Sequence, residues 1–128
     1  MELTIEQALQ EGVKLHRMGN LEGAKSVYQA ILQSHPTHPD ASHNLGLIAI
    51  SLHQVEAALQ LFKTALDENP NIEQFWLSYI DALVRASRQQ DAKKAIKKAK
   101  RKGVDAKKLK ALLSKSKVIS DIKVPSQA

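Results

Sequence analysis

Residues 41–70 read ASHNLGLIAISLHQVEAALQLFKTALDENP, two amphipathic segments separated by a short polar turn. Parts of this stretch recur at a fixed spacing along the chain. Gly12 and Gly46 are 34 residues apart, and the same offset links Tyr28 to Phe62. Repetition at such a period is typical of stacked helical units, each of which buries its apolar face against its neighbours. The sequence therefore predicts an all-α solenoid.

The apolar residues return every three or four positions, which indicates amphipathic helices. Thr4 with Gln7 predicts a capping box at the first helix, and Asn20 and Asn71 are expected to cap the second and fifth. Glycines and prolines mark the breaks. The predicted helices cover about 4–18, 21–34, 39–52, 55–68, 72–86, 89–102 and 106–117.

The recurring residues resemble those of the tetratricopeptide repeat, whose pattern is W-x2-L-G-x2-Y, then A-x3-F, then P. The second unit carries Leu45, Gly46, Ala58, Phe62 and Pro70 at these positions. The first unit carries Gly12, Ala24, Tyr28 and Pro36, and the third carries Trp76, Ala92 and Ile96.

The resemblance implies a right-handed superhelix of three units at about 5–38, 39–72 and 73–104, closed by a capping helix at about 106–117. A single domain is expected over residues 1–117, with a tail or linker at 118–128. The third unit departs from the pattern, because Ile80 stands where glycine is usual. Its two helices are therefore expected to cross at a larger separation.

The resemblance also implies a concave surface lined by the first helix of each unit, where an extended peptide or a helix of a partner protein would bind. Polar groups would surround an apolar floor along this groove. The implied groove residues are Gln10, Val13, His16, Arg17, His43, Asn44, Leu47, Ile50, Gln74, Leu77, Ser78 and Asp81, with Glu6, Leu9, Asp40, Ser51, Val84 and Arg85 at neighbouring lining positions.

Some members of the family bind chaperone C-termini through a clamp of lysines, arginine and asparagines. Asn44 matches one asparagine position of that clamp. The other positions hold Leu9, Val13, Gln74 and Ser78, none of which is cationic. Without cations the charge-assisted hydrogen bonds to a terminal carboxylate are lost, so this ligand is not expected.

Charge is divided unevenly along the chain. Residues 1–84 carry four lysines or arginines against ten acids, a net charge of −6, whereas residues 85–128 carry fifteen against three, a net charge of +12. The basic face comprises Lys93, Lys94, Lys97, Lys98, Arg101, Lys107 and Lys108. It is interpreted first as a solvated, solubilising region. The alternative is a site at 93–110 for a polyanion, either nucleic acid or an acidic surface, although no aromatic residue is interleaved for base stacking.

No cofactor, metal site or enzymatic activity is expected. The chain has no cysteine, no glycine-rich phosphate loop and no catalytic triad motif. His35, His38 and His43 follow no known ligand spacing and are interpreted as solvated connector residues, while Phe75 and Trp76 are interpreted as packing residues.

A cytoplasmic location is expected, because the N-terminus does not resemble a secretory signal and no segment predicts a transmembrane helix. The expected partner is a protein or peptide, and self-association through an exposed end of the stack is a further possibility. A third functional alternative is a non-catalytic N-terminal module of a larger bacterial enzyme.

Overall fold

The computed structural model describes the backbone of residues 3–121 and the side chains of residues 3–114. This part of the chain forms seven helices and no strand, which confirms the predicted all-α fold. The helices are α1 (Ile5–Arg17), α2 (Leu21–Ser34), α3 (Pro39–Ser51), α4 (Val55–Glu68), α5 (Glu73–Arg85), α6 (Gln89–Arg101) and α7 (Ala106–Asp121).

Two of the three predicted helix caps are found. The Thr4 hydroxyl accepts the Gln7 backbone N–H at 3.0 Å, and the Gln7 side chain accepts the Thr4 N–H at 2.9 Å. Asn20 accepts the N–H of Gly23 at 2.9 Å. The predicted cap at Asn71 was wrong: Ile72 precedes α5 and makes no side-chain capping bond.

The last helix is longer than predicted. Helix α7 continues through Asp121, so the first four residues of the predicted tail at 118–128 are helical, and the rest lie outside the described residues. The sequence explains the extension, since neither glycine nor proline interrupts residues 106–121.

The helices stack as consecutive antiparallel pairs. Helix α1 packs on α2, α3 on α4 and α5 on α6, while α2 contacts α3 and α4 contacts α5. Helix α7 packs on α5, where Leu109 is buried. The core is aliphatic and alanine-rich, because Ala24, Ala58, Ala92 and Ala99 are fully buried.

Within the first two pairs the backbone of the first helix lies against an aromatic ring of the second. A Cβ added at Gly12 would lie 2.5 Å from Tyr28 Cε1, and one added at Gly46 would lie 2.7 Å from Phe62 Cδ1. The third pair instead buries Ile80 and Ile96, and contact between α5 and α6 is less extensive than within the earlier pairs. This agrees with the larger separation expected for the third unit.

We expect Gly46→Ala to lower the free energy of unfolding by about 1–3 kcal/mol, because the new methyl group overlaps the rigid Phe62 ring. Phe62→Leu alone leaves a cavity, but combined with Gly46→Ala it makes room for the methyl group. Urea denaturation should therefore show the double variant to be more stable than the sum of the two single effects predicts. Strict additivity would contradict the proposed contact.

Each helix pair turns at a residue in the left-handed region. Gly19 has φ 83°, and the residues 34 and 68 positions later, His53 and Ser87, both have φ 59°. A side chain in this conformation is strained by its Cβ, whereas glycine is not. The turns at His53 and Ser87 therefore have a conformational free-energy cost that the turn at Gly19 lacks.

Ser87→Gly is expected to raise the free energy of unfolding by about 0.5–1 kcal/mol, since it relieves this strain. Ser26→Gly is the matched control: the same chemical change at an exposed position inside α2 should destabilise the protein. Thermal melting of both variants shows whether each substitution stabilises or destabilises the protein. A Ser87→Gly variant that melts below the parent would contradict the assignment of strain to this turn.

Candidate peptide-binding groove

The candidate groove follows α1, α3 and α5, the first helices of the three pairs. These helices are neighbours, because α3 contacts both α1 and α5. The predicted apolar floor residues Val13, Leu47, Ile50 and Leu77 are all half-buried, and each retains an exposed part. An apolar surface of this kind can be covered further by a ligand, as a peptide groove requires.

The polar groove residues differ in exposure. Gln10, Arg17 and Gln74 are exposed, while His16, Asn44 and Asp81 are half-buried. Arg85 Nε donates to Asp81 Oδ2 at 2.8 Å, so these two charges partly neutralise one another at the end of α5. The free charges of the groove therefore lie mainly at its α1 end.

A shallow cavity of about 450 Å³ lies along α1. Leu9, Val13 and Met18 form its apolar part, and Lys14 and Arg17 are the cations beside it. Met18 is 69% exposed and Leu3 is 62% exposed, so the N-terminal end of the stack presents uncovered apolar side chains. Self-association through this end stays a prediction.

Two predicted groove residues lie beneath the surface. His43 on α3 and Ser78 on α5 are 6% and 7% exposed, and His43 Nε2 is 2.7 Å from Ser78 Oγ in a hydrogen bond between the second and third units. The Gln74 amide donates to the same hydroxyl at 3.3 Å. The imidazole also packs against Phe62 and Phe75, with ring centroids 5.4 and 4.9 Å away. We call His43, Ser78, Phe62 and Phe75 the inter-repeat cluster.

Burial lowers the pKa of His43, because a charged imidazolium loses hydration among aromatic rings; the Asn44 side chain and the Asp40 carboxylate oppose this shift. Burial likewise raises the pKa of Tyr28, an effect that Asn44 reduces. Asn44, half-buried on α3, therefore influences both buried rings.

The interpretation of the histidines as solvated connector residues was wrong for His43, which is buried. His38 is half-buried and caps α3, since its Nδ1 accepts the N–H of Ala41 at 3.2 Å. His35 is exposed and bonds to Ser34. Within residues 3–114, no three His, Asp or Glu side chains are grouped as a metal site would need.

The predicted basic face divides between two helices. All seven of its residues are exposed, namely Lys93, Lys94, Lys97, Lys98, Arg101, Lys107 and Lys108. On α7, Lys108 forms an ion pair with Glu73 at 3.5 Å, and Glu73 also accepts the Asp105 backbone N–H at 3.1 Å. These contacts fix the start of α7 against α5.

On α6, Lys94, Lys98 and Arg101 line a second depression, a cleft of about 600 Å³ on the other side of α5. Trp76 and Tyr79 lie in the same cleft. Sequence reasoning missed this juxtaposition, because the aromatic residues and the lysines are on different helices. The helical spacing of α5 could have revealed it, because Trp76 and Tyr79 project from a different side of this helix than the groove residue Ser78.

A family model described as tetratricopeptide repeat matches residues 15–75, which include the whole of the second unit. Residues 15–75 therefore match the tetratricopeptide repeat, and the chain has the fold of that family. Its pairs α1–α2, α3–α4 and α5–α6 are the three repeats, and α7 packs on α5, the first helix of the third. Among curated protein sequences, none matches the chain.

Solved structures share this repeat fold. A structure of MamA aligns with a TM-score of 0.72 and 20% identity over 77% of this chain, and the match spans 58% of the MamA chain. The TPR2B domain of yeast Sti1, solved as a pHsp70 complex, aligns with a TM-score of 0.79 and 18% identity, covering 89% of this chain and 96% of that domain.

A third structure, the first TPR of Spaghetti (RPAP3) bound to an HSP90 peptide, aligns with a TM-score of 0.77 and 16% identity. It covers 94% of this chain and 98% of that one. In the part of the chain that the structure describes, no helix is both long and apolar enough to cross a membrane.

The inter-repeat cluster predicts a pH dependence of stability. Above the ordinary histidine pKa of 6.5, His43 is neutral in both the folded and the unfolded chain, so the free energy of unfolding does not depend on its protonation there. Below that value the unfolded chain binds the proton first, because burial lowers the pKa of His43 in the folded protein. The free energy of unfolding should therefore fall as the pH drops below 6.5.

Denaturation of His43→Gln across the same pH range should show a weaker dependence than the parent. His35→Gln, which removes an exposed histidine, is the control and should retain the parental dependence. Identical pH profiles for the parent and His43→Gln would exclude a coupled proton at His43.

Proposed function

We propose that the protein is a protein–protein interaction scaffold whose groove along α1, α3 and α5 binds an extended peptide or a helix of a partner. The observation that carries this proposal is the apolar floor of Val13, Leu47, Ile50 and Leu77. Each side chain is half-buried by the protein's own packing and leaves surface for a ligand to cover.

Rigidity beneath the floor supports the proposal. The His43–Ser78 hydrogen bond joins α3 to α5, so the middle and last parts of the groove are held in one arrangement. A preorganised surface loses little conformational entropy when a ligand binds. The role proposed is binding alone, without catalysis.

Solved structures of the same fold also support the proposal, since two of them are complexes with Hsp70 or HSP90 ligands. We do not extend those ligands to this chain, because Leu9, Val13, Gln74 and Ser78 occupy the clamp positions and carry no positive charge. The cations Lys14 and Arg17 instead flank the apolar cavity on α1. The preferred ligand would place an apolar side chain there, with an acidic residue beside it.

Selection from a peptide display library, followed by fluorescence anisotropy on the enriched peptides, tests the proposal. Leu47→Glu should weaken binding at least about tenfold, because a carboxylate would be desolvated beneath the ligand. Asn44→Ala should weaken it less. Binding should persist at high salt, since apolar contacts are not screened.

The matched control is Gln60→Glu, which adds the same charge at an exposed position on α4. Circular dichroism and melting must first show that Leu47→Glu is folded as the parent is. Enriched peptides that bind the parent and the folded Leu47→Glu variant equally would exclude the groove as their site.

A further inference from the structure

The cleft on the opposite side of α5 has the composition of a second binding site. Helices α4 and α6 flank it, Trp76 and Tyr79 contribute from α5, and Pro70 lies at its edge. Trp76 Nε1 donates to the Pro70 carbonyl oxygen at 2.7 Å, which fixes the indole against the connector before α5. The apolar part of the cleft is therefore held rigidly.

The preceding repeat offers an internal comparison. A depression flanked by α2 and α4 corresponds to it in part, and its volume is about 220 Å³ against about 600 Å³ for the α4–α6 cleft. Two residues 34 positions apart illustrate the difference: Leu61 lines the smaller depression and Ala95 the larger. The large cleft is thus a property of the last repeat and does not follow from the repeat geometry alone.

The charges differ as well. Lys25 is the one charged residue that lines the smaller depression. Five cations line the larger one, against the carboxylates of Asp67 and Asp91. Lys63 is paired with Asp67 at 3.3 Å, whereas Lys94, Lys98 and Arg101 form no ion pair within the described part of the chain. The α6 wall therefore offers unpaired positive charge above an aromatic surface.

We propose that this cleft binds an acidic peptide segment of a partner protein, with an aromatic or aliphatic side chain inserted against Tyr79 and the small exposed part of Trp76. The carboxylates of the segment would pair with Lys94, Lys98 and Arg101. The carboxylates of Asp67 and Asp91 can accept hydrogen bonds from the backbone N–H groups of the peptide.

A phosphate backbone fits the cleft less well than a peptide. It supplies no donor to the two carboxylates, whereas a peptide supplies its backbone N–H groups. The observations therefore favour a peptide over nucleic acid.

The cleft is independent of the groove. Trp76 and Tyr79 project from one side of α5. The groove residues Gln74, Ser78 and Asp81 project from the other side, as their spacing on a helix requires. A partner segment in the cleft and a peptide in the groove would occupy opposite surfaces of the same helix.

The probe for a test is a short synthetic peptide of aspartate and glutamate with a central phenylalanine. Three comparison probes are the same peptide with serine in place of phenylalanine, the same peptide with asparagine and glutamine in place of its acids, and a single-stranded oligothymidylate. Trp76 is the only tryptophan of the chain, so its fluorescence reports on the cleft directly.

Ala95→Leu fills the cleft with the residue found at the equivalent position of the preceding repeat. Lys94→Gln/Lys98→Gln removes two cations that line the cleft, and Lys93→Gln/Lys97→Gln removes two from α6 that do not line it. The two double variants lose the same charge, so they separate local recognition from general attraction. Melting curves establish that each variant is folded.

The phenylalanine peptide should shift the Trp76 fluorescence and bind more tightly than the other three probes. Its affinity should fall about tenfold in Ala95→Leu and in Lys94→Gln/Lys98→Gln. It should change little in Lys93→Gln/Lys97→Gln and in the groove variant Leu47→Glu, which makes failure here distinguishable from failure of the groove. Absence of binding, equal losses in the two double variants, or tighter binding of the oligothymidylate would each overturn the proposal.

Discussion

The close approach of two helices within a repeat is the constraint on which the rest of the structure depends. Gly12 and Gly46 present bare backbone, so the rings of Tyr28 and Phe62 lie directly against the first helix of each pair. The aromatic ring then occupies space that a side chain on the first helix would otherwise need. Because this contact sets the spacing of the pair, it also sets how the next repeat stacks upon it.

The third repeat meets the same constraint with different residues. Ile80 and Ile96 replace the glycine and the aromatic ring, and both are buried. Two branched aliphatic side chains cannot nest as a flat ring nests against bare backbone, so α5 and α6 contact each other less closely. The large cleft lies beside this loosely joined pair, whereas the smaller depression lies beside a tightly joined one.

Much of the fold is predictable from the sequence because its determinants are local. Apolar spacing, Thr4, Asn20 and the prolines place six of the seven helices within one residue of their observed limits. The predicted cap at Asn71 was wrong because the helix begins one residue later than expected, so that Ile72 occupies the cap position and makes no side-chain hydrogen bond. Local signals thus locate helices well and resolve their first turns less well.

The candidate sites depend on contacts between helices, and there the sequence is less informative. The His43–Ser78 bond joins residues 35 positions apart, one repeat and one residue, and no local pattern marks it. The cleft likewise brings Trp76 beneath lysines that belong to another helix. Both pairings become visible only when the layers of the stack are known.

The depressions between the second helices of successive repeats, α2–α4 and α4–α6, affect how such a chain can change during evolution. Duplication of a repeat copies the contacts that fold it and, with them, one more surface hollow. The residues around that hollow are mostly exposed, so they can diverge while the core is maintained. A family built in this way gains recognition surfaces in proportion to its length, and neighbouring copies such as the α2–α4 and α4–α6 hollows are free to acquire different chemistry.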